Sequence, residues 1–76
     1  MLELVTYIVE QLVSDKNAIS ITSSENDGVE TISIRVAEND IGKVIGKQGK
    51  IATAIRTLAK AVGIKEGKRY NIEIED

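Results

Sequence analysis

Three short stretches of this chain alternate apolar and polar residues. Ile19 and Ile21 alternate with Ser20 and Thr22. Ile32, Ile34 and Val36 alternate with Thr31, Ser33 and Arg35, and Tyr70, Ile72 and Ile74 alternate with Asn71 and Glu73. Successive strand side chains point to opposite faces, so each stretch has one apolar face and one wet face. Three such strands make a sheet that must be covered on one side only. The cover is written in the same sequence. Leu2, Val5, Ile8, Val9 and Leu12 recur at helical spacing over residues 2–13, with Leu4 and Val13 widening the apolar face. Ile51, Ile55, Leu58 and Val62 recur likewise, among Ala52, Ala54, Ala59 and Ala61, which favour helix and keep it slim. Glu38-Asn39-Asp40 offers N-cap side chains for a short helix over about residues 40–45.

Punctuation fixes the order. Ser14-Asp15-Lys16-Asn17 stops the first helix. Ser24-Glu25-Asn26-Asp27-Gly28 reads as a hairpin loop, Gly63 as a left-handed C-cap, and Lys65-Glu66-Gly67-Lys68 as a turn. The expected order is helix, strand, strand, helix, helix, strand. This is an α+β two-layer sandwich, a three-stranded mixed sheet with three helices on one face. If the second and third strands are neighbours, the two-helix crossover makes them parallel. At 76 residues the chain has room for one domain with a modest core.

Composition removes whole classes of function. With no cysteine and no histidine there is no disulfide, no Cys/His metal site and few general bases, so neither catalysis nor a cofactor is expected. Asp40 reads as a helix cap, and Glu73, Glu75 and Asp76 as a solvated strand end. The apolar runs are too short for a membrane span, and Met1-Leu2-Glu3-Leu4 lacks the basic start of a signal peptide. Absence of cysteine suits a reducing cytoplasm. The net charge of −2 hides a segregation. Residues 1–40 carry eight acids against Lys16 and Arg35. Residues 41–70 carry eight bases against Glu66 alone. Local sign decides where a polyanion docks.

The basic segment surrounds Ile41-Gly42-Lys43-Val44-Ile45-Gly46-Lys47-Gln48-Gly49-Lys50-Ile51. Two glycines bound a loop between two helices and permit close approach of a partner's backbone. The loop opens into a helix N-terminus, where free N–H groups favour phosphate, and Lys47 and Lys50 add charge, with Lys43 a further candidate. Ile41, Val44 and Ile45 beside Gly42 suggest a shallow apolar floor for an unpaired base, or else core. A nucleotide-binding GxxxxGK[ST] loop does not fit. Its first glycine would fall on Val44, Ile51 follows Gly49-Lys50, and a helix precedes the loop. A sheet that stacks bases on aromatics does not fit either. The polar face holds no aromatic side chain, and Tyr7 and Tyr70 are assigned to packing.

Val44-Ile45-Gly46-Lys47-Gln48-Gly49-Lys50-Ile51-Ala52 resembles the KH signature, I/V-I-G-x-x-G-x-x-I, with Ala52 at the closing apolar position. The element order is similar to the type II, prokaryotic KH arrangement, across essentially the whole chain, and length and first helix resemble small free-standing bacterial KH proteins. The resemblance implies one KH domain over residues 1–76 and non-catalytic binding of about four nucleotides of single-stranded RNA. It also implies self-association, pairing with a larger KH partner of the KhpB (Jag) kind, or both. It maps a clamp onto Gly46, Lys47, Gln48 and Gly49. It maps a groove onto Ile41, Gly42, Val44, Ile45 and Ile51, with Ile34 and Val36 of the second strand as the opposite wall. Arg56 and Lys60 could extend the basic track. The broad apolar face of the first helix and the alanine-lined third helix support a second reading, a protein-interaction module.

Overall fold

The computed structural model describes residues 1–75; Asp76, read above as part of a solvated strand end, lies outside the described residues. The elements follow the expected order: α1 (Leu2–Leu12), β1 (Ser20–Asn26), β2 (Val29–Arg35), α2 (Ile41–Ile45), α3 (Lys50–Glu66) and β3 (Arg69–Ile74). Single 3-10 turns at Lys16–Ala18, Glu38–Asp40 and Lys47–Gly49 join them. The sheet order is β1-β2-β3, with β1 antiparallel and β3 parallel to β2. Inward residues meet across the strands, Ile21 opposite Ile34, and Ile32 and Ile34 opposite Ile72 and Ile74. They form the core with Val5, Val9 and Val13 of the first helical segment, Val44, and Ile55 and Ala59 of α3. Among the described residues no helix is long and apolar enough to cross a membrane.

Four local expectations change. The hairpin loop is Asp27-Gly28 alone, with φ of 54° and 78°. Two positive-φ residues make the turn whose twist matches that of the strands, so Ser24, Glu25 and Asn26 remain paired. The third helix runs past Gly63 to Glu66, and Gly67 is its left-handed cap. Gly63 serves packing instead. A Cβ there would lie 2.6 Å from Lys68 O and 3.3 Å from the Tyr70 ring. The buried stripe of α3 is Ala52, Ile55, Ala59 and Gly63, which lets the helix sit close on β3. Leu58 is left 40% exposed. Tyr7, expected to pack, is 62% exposed on α1, because Val5, Val9 and Val13 already fill the contact with the sheet.

Candidate functional site

The glycine loop is held by backbone geometry. Gly46 has φ 80° and ψ 173° and ends α2, its N–H bonding Gly42 O at 2.8 Å. Gln48 (φ 57°) and Gly49 (φ 74°) follow in left-handed conformation, and Gly49 N–H reaches Gly46 O at 3.1 Å. The two glycines are required for different reasons. A Cβ on Gly46 would stand 2.6 Å from Ile51 Cγ1 and 2.9 Å from Ile51 N, whereas one on Gly49 would meet nothing within 4 Å. Lys47 and Gln48 are exposed at the tip. The loop delivers the chain into the N-terminus of α3, where the first N–H groups lack helical partners.

The structure divides the apolar residues that the sequence left open. Val44 is fully buried in the core and cannot face a ligand. Ala52 occupies the buried position, while Ile51 is half-buried beneath Gly46. Ile45 is half-buried. Ile41, also half-buried, lines a separate shallow hollow with Arg35, Val36 and Glu38. Gly42 and Lys43 are exposed. The expectation that β2 supplies the opposite wall fails. β2 is the central strand, with Ile34 at 0% exposure and Val36 buried.

The accessible wall beside α2 and α3 is β3, an edge strand in contact with both helices. Glu75 donates its N–H to Ile34 O at 2.9 Å. Strand alternation therefore turns the N–H and C=O groups of Tyr70, Ile72 and Ile74 away from β2 to the open edge. Arg56 Nε lies 3.4 Å from Ile72 O, on that edge. Between α3 and this edge runs a groove of about 500 Å³ with an apolar floor of Val29, Ile64, Tyr70 and Ile72. Ile64 is 74% exposed. Arg56, Lys60, Lys68 and Arg69 rim the groove. Sequence reasoning missed Ile64, Arg69 and the groove role of Tyr70 and Ile72. The available signal was that Arg56, Lys60 and Ile64 share one flank of α3 at i, i+4 and i+8.

Electrostatics separates the cations into two groups. Lys68 bonds Glu30 at 3.0 Å, which raises the lysine's pKa, and its Nζ lies 5.6 Å from the centre of the Tyr70 ring. Tyr70 donates its hydroxyl to Glu66 at 2.6 Å, and that bond holds the phenol above its usual pKa. Lys43 is paired with Asp40. Lys47, Lys50, Arg56, Lys60 and Arg69 stand in no ion pair among the described residues. Four of them follow the start and one flank of α3, a path of unneutralised positive charge beside an apolar floor and an unpaired strand edge. Such an arrangement can hold a flexible polyanion whose unpaired, planar groups lie against the floor.

Asp40 does not cap its own helix, as the sequence suggested. Its carboxylate is fully buried and accepts the N–H groups of Ser14 at 3.1 Å and Asp15 at 3.0 Å, just beyond the end of α1. Those bonds, from Asp15 first and then Ser14, with help from Lys43, lower its pKa to about 2.

Comparison with known proteins agrees with this architecture. The family described as the KH domain of KhpA/KhpB matches residues 2–74. An RNA-binding protein KhpA from Treponema pallidum is 45% identical, over 97% of this chain and 92% of its own. A protein of that name from Caldanaerobacter subterraneus is 47% identical, over 95% of this chain and 96% of its own. One from Listeria monocytogenes is 47% identical, over 97% of both chains.

Proposed function

The chain belongs to the KhpA/KhpB KH-domain family, and on that premise we propose that it is a single-domain, non-catalytic binder of single-stranded RNA in the bacterial cytoplasm. The strand is gripped at Gly46-Lys47-Gln48-Gly49, beside Gly42, Ile45 and Ile51, and runs along α3 against the open edge of β3. The observation that carries this reading is the path of cations that form no ion pair among the described residues, Lys47, Lys50, Arg56 and Lys60, beside the apolar groove floor. Phosphates would follow the cations. Bases, splayed from an unpaired strand, would lie on Ile64 and Tyr70, within reach of the N–H and C=O groups that β3 turns to its open edge. A duplex presents no such loose bases.

Titration of a short unstructured RNA by fluorescence anisotropy, across a salt series, tests this. Four phosphate contacts on a single strand give a slope of log K against log salt of about −3. A flat dependence, or preference for duplex, would overturn the proposal.

A second reading concerns partners. Leu4, Tyr7 and Leu58 lie exposed on α1 and α3, away from the groove. They support a homodimer, pairing with a KhpB (Jag)-like protein, or a scaffolding role in which RNA binds only within the complex. Two linked clamps would gain affinity by avidity. Light scattering behind size exclusion should give a dimer mass for the wild type and a monomer mass for Leu58→Glu, with the fold retained. A wild type that is monomeric at all concentrations would leave the apolar face to a different partner.

A further inference from the structure

The sequence places Lys43 among the residues of the RNA site, but in the fold this cation is already committed. Its Nζ lies 3.2 Å from Asp40 Oδ1 and donates to Ser14 Oγ. Asp40 is the one charged side chain fully buried among the described residues. Burying a carboxylate is costly unless its lone pairs are satisfied. Here two backbone N–H groups and one ammonium satisfy it, all three directed at the same group.

The partners come from 25 and 26 residues earlier in the chain, so the carboxylate fastens the start of α2 to the exit of α1. α2 has five residues. A helix that short does not hold itself together, so its position is set by what anchors its ends. At its C-terminal end the anchor is Gly46, pressed against Ile51. At its N-terminal end it is Asp40.

We propose that Asp40 and Lys43 are positioning residues, a latch between α1 and α2 that fixes the glycine loop, and that Lys43 takes no phosphate. This rests on the RNA-binding reading, and the two make separable predictions. A phosphate contact contributes to the salt slope, whereas a positioning contact changes affinity without changing the number of counterions released. A residue serving stability alone changes neither while the protein stays folded.

The test compares wild type, Lys43→Met, Asp40→Asn and Lys50→Met by anisotropy titration across a salt series, at a temperature where circular dichroism shows each folded. Lys50→Met should reduce the magnitude of the slope by about 0.7, the value for one phosphate on a single strand. Lys43→Met and Asp40→Asn should weaken binding by about tenfold at every salt concentration, the equivalent of one lost charge-assisted hydrogen bond, with the slope unchanged. Lys43→Met is the milder variant and leaves both backbone bonds to Asp40. A reduced slope for Lys43→Met would make it a phosphate contact and overturn the latch. Wild-type affinity in folded Asp40→Asn would overturn it too. Amide hydrogen exchange supplies a readout that needs no RNA. The N–H groups of Gly46 and Gly49 should exchange faster in both variants, while Ile32 and Ile34 in the central strand stay protected. Unchanged loop exchange sinks the latch. Absence of RNA binding by the wild type removes the RNA reading and leaves the latch to be judged on exchange.

Discussion

With Lys47 and Gln48 both replaced by aspartate, RNA binding is expected to disappear at salt concentrations where the wild type binds well, with the melting temperature almost unchanged. Both side chains are exposed and make no hydrogen bond or ion pair among the described residues, so the folded state loses little. The left-handed conformation at position 48 suits aspartate better than most residues. The cost should stay within about 0.5 kcal/mol, as for other exposed substitutions away from special features. The loop's electrostatics, by contrast, reverses. One cation is lost and two anions appear where phosphate would approach the N-terminus of α3. Each 1.4 kcal/mol is a factor of ten, so one lost charge-assisted contact plus two repulsive ones corresponds to a loss of more than about a hundredfold. Anisotropy titration with thermal denaturation checks both halves. Wild-type affinity in the double variant would mean that the loop is not the clamp, and the groove along α3 would have to bind by itself.

How far the fold was legible in the sequence depends on the range of the interactions involved. Period-two alternation in Ile32, Ile34, Ile72 and Ile74 reports directly on burial, and these residues lie where the pattern put them. The family signature likewise placed Gly46 and Gly49 between two helices. What failed was long-range. Gly63 looks like a helix stop in isolation, and only the return of Lys68 and Tyr70 against it explains a glycine inside a helix. Asp40 looks like a cap because its partners, Ser14 and Asp15, are on another element. The alanines of α3 read as filler beside Leu58, yet close contact with β3 selects the small stripe for burial and leaves the leucine out. The groove wall was placed on β2 by the resemblance, whereas in the fold β2 is central and β3 is the edge strand beside the helices. Once β3 is seen at the edge, Tyr70 and Ile72 turn backbone groups to the groove, Ile72 O meeting Arg56, which no reading of their side chains would reveal.

Alanine at Gly46 should unfold the protein at far lower temperature than alanine at Gly49, although both glycines belong to the same motif and both have positive φ. At Gly49 the cost is conformational alone. The left-handed region costs a side-chain-bearing residue about 1–2 kcal/mol, and open space surrounds the added methyl. At Gly46 the backbone, φ 80° and ψ 173°, lies in a region that glycine alone occupies readily, at roughly 1–3 kcal/mol for other residues. A second cost is added there. The methyl would overlap Ile51 Cγ1, Cβ and N, at 2.6, 2.8 and 2.9 Å. Cβ and N cannot move aside as a flexible side-chain end could, so α3 itself must shift, at a cost of about 1–3 kcal/mol for overpacking. The sum, about 2–6 kcal/mol, is a large part of the 5–15 kcal/mol that stabilises a typical domain. In a chain of this size each kilocalorie moves the melting temperature by about 4–8 °C. Taken at the middle of each range, the expected drop is about 24 °C for Gly46→Ala and about 9 °C for Gly49→Ala, measured by circular dichroism. RNA binding, assayed cold enough that both variants are folded, should fall further for Gly46→Ala, because the shift that relieves Ile51 also moves the start of α3 away from the loop. Equal melting temperatures would show that Ile51 yields without cost, and that the two glycines serve the turn alone.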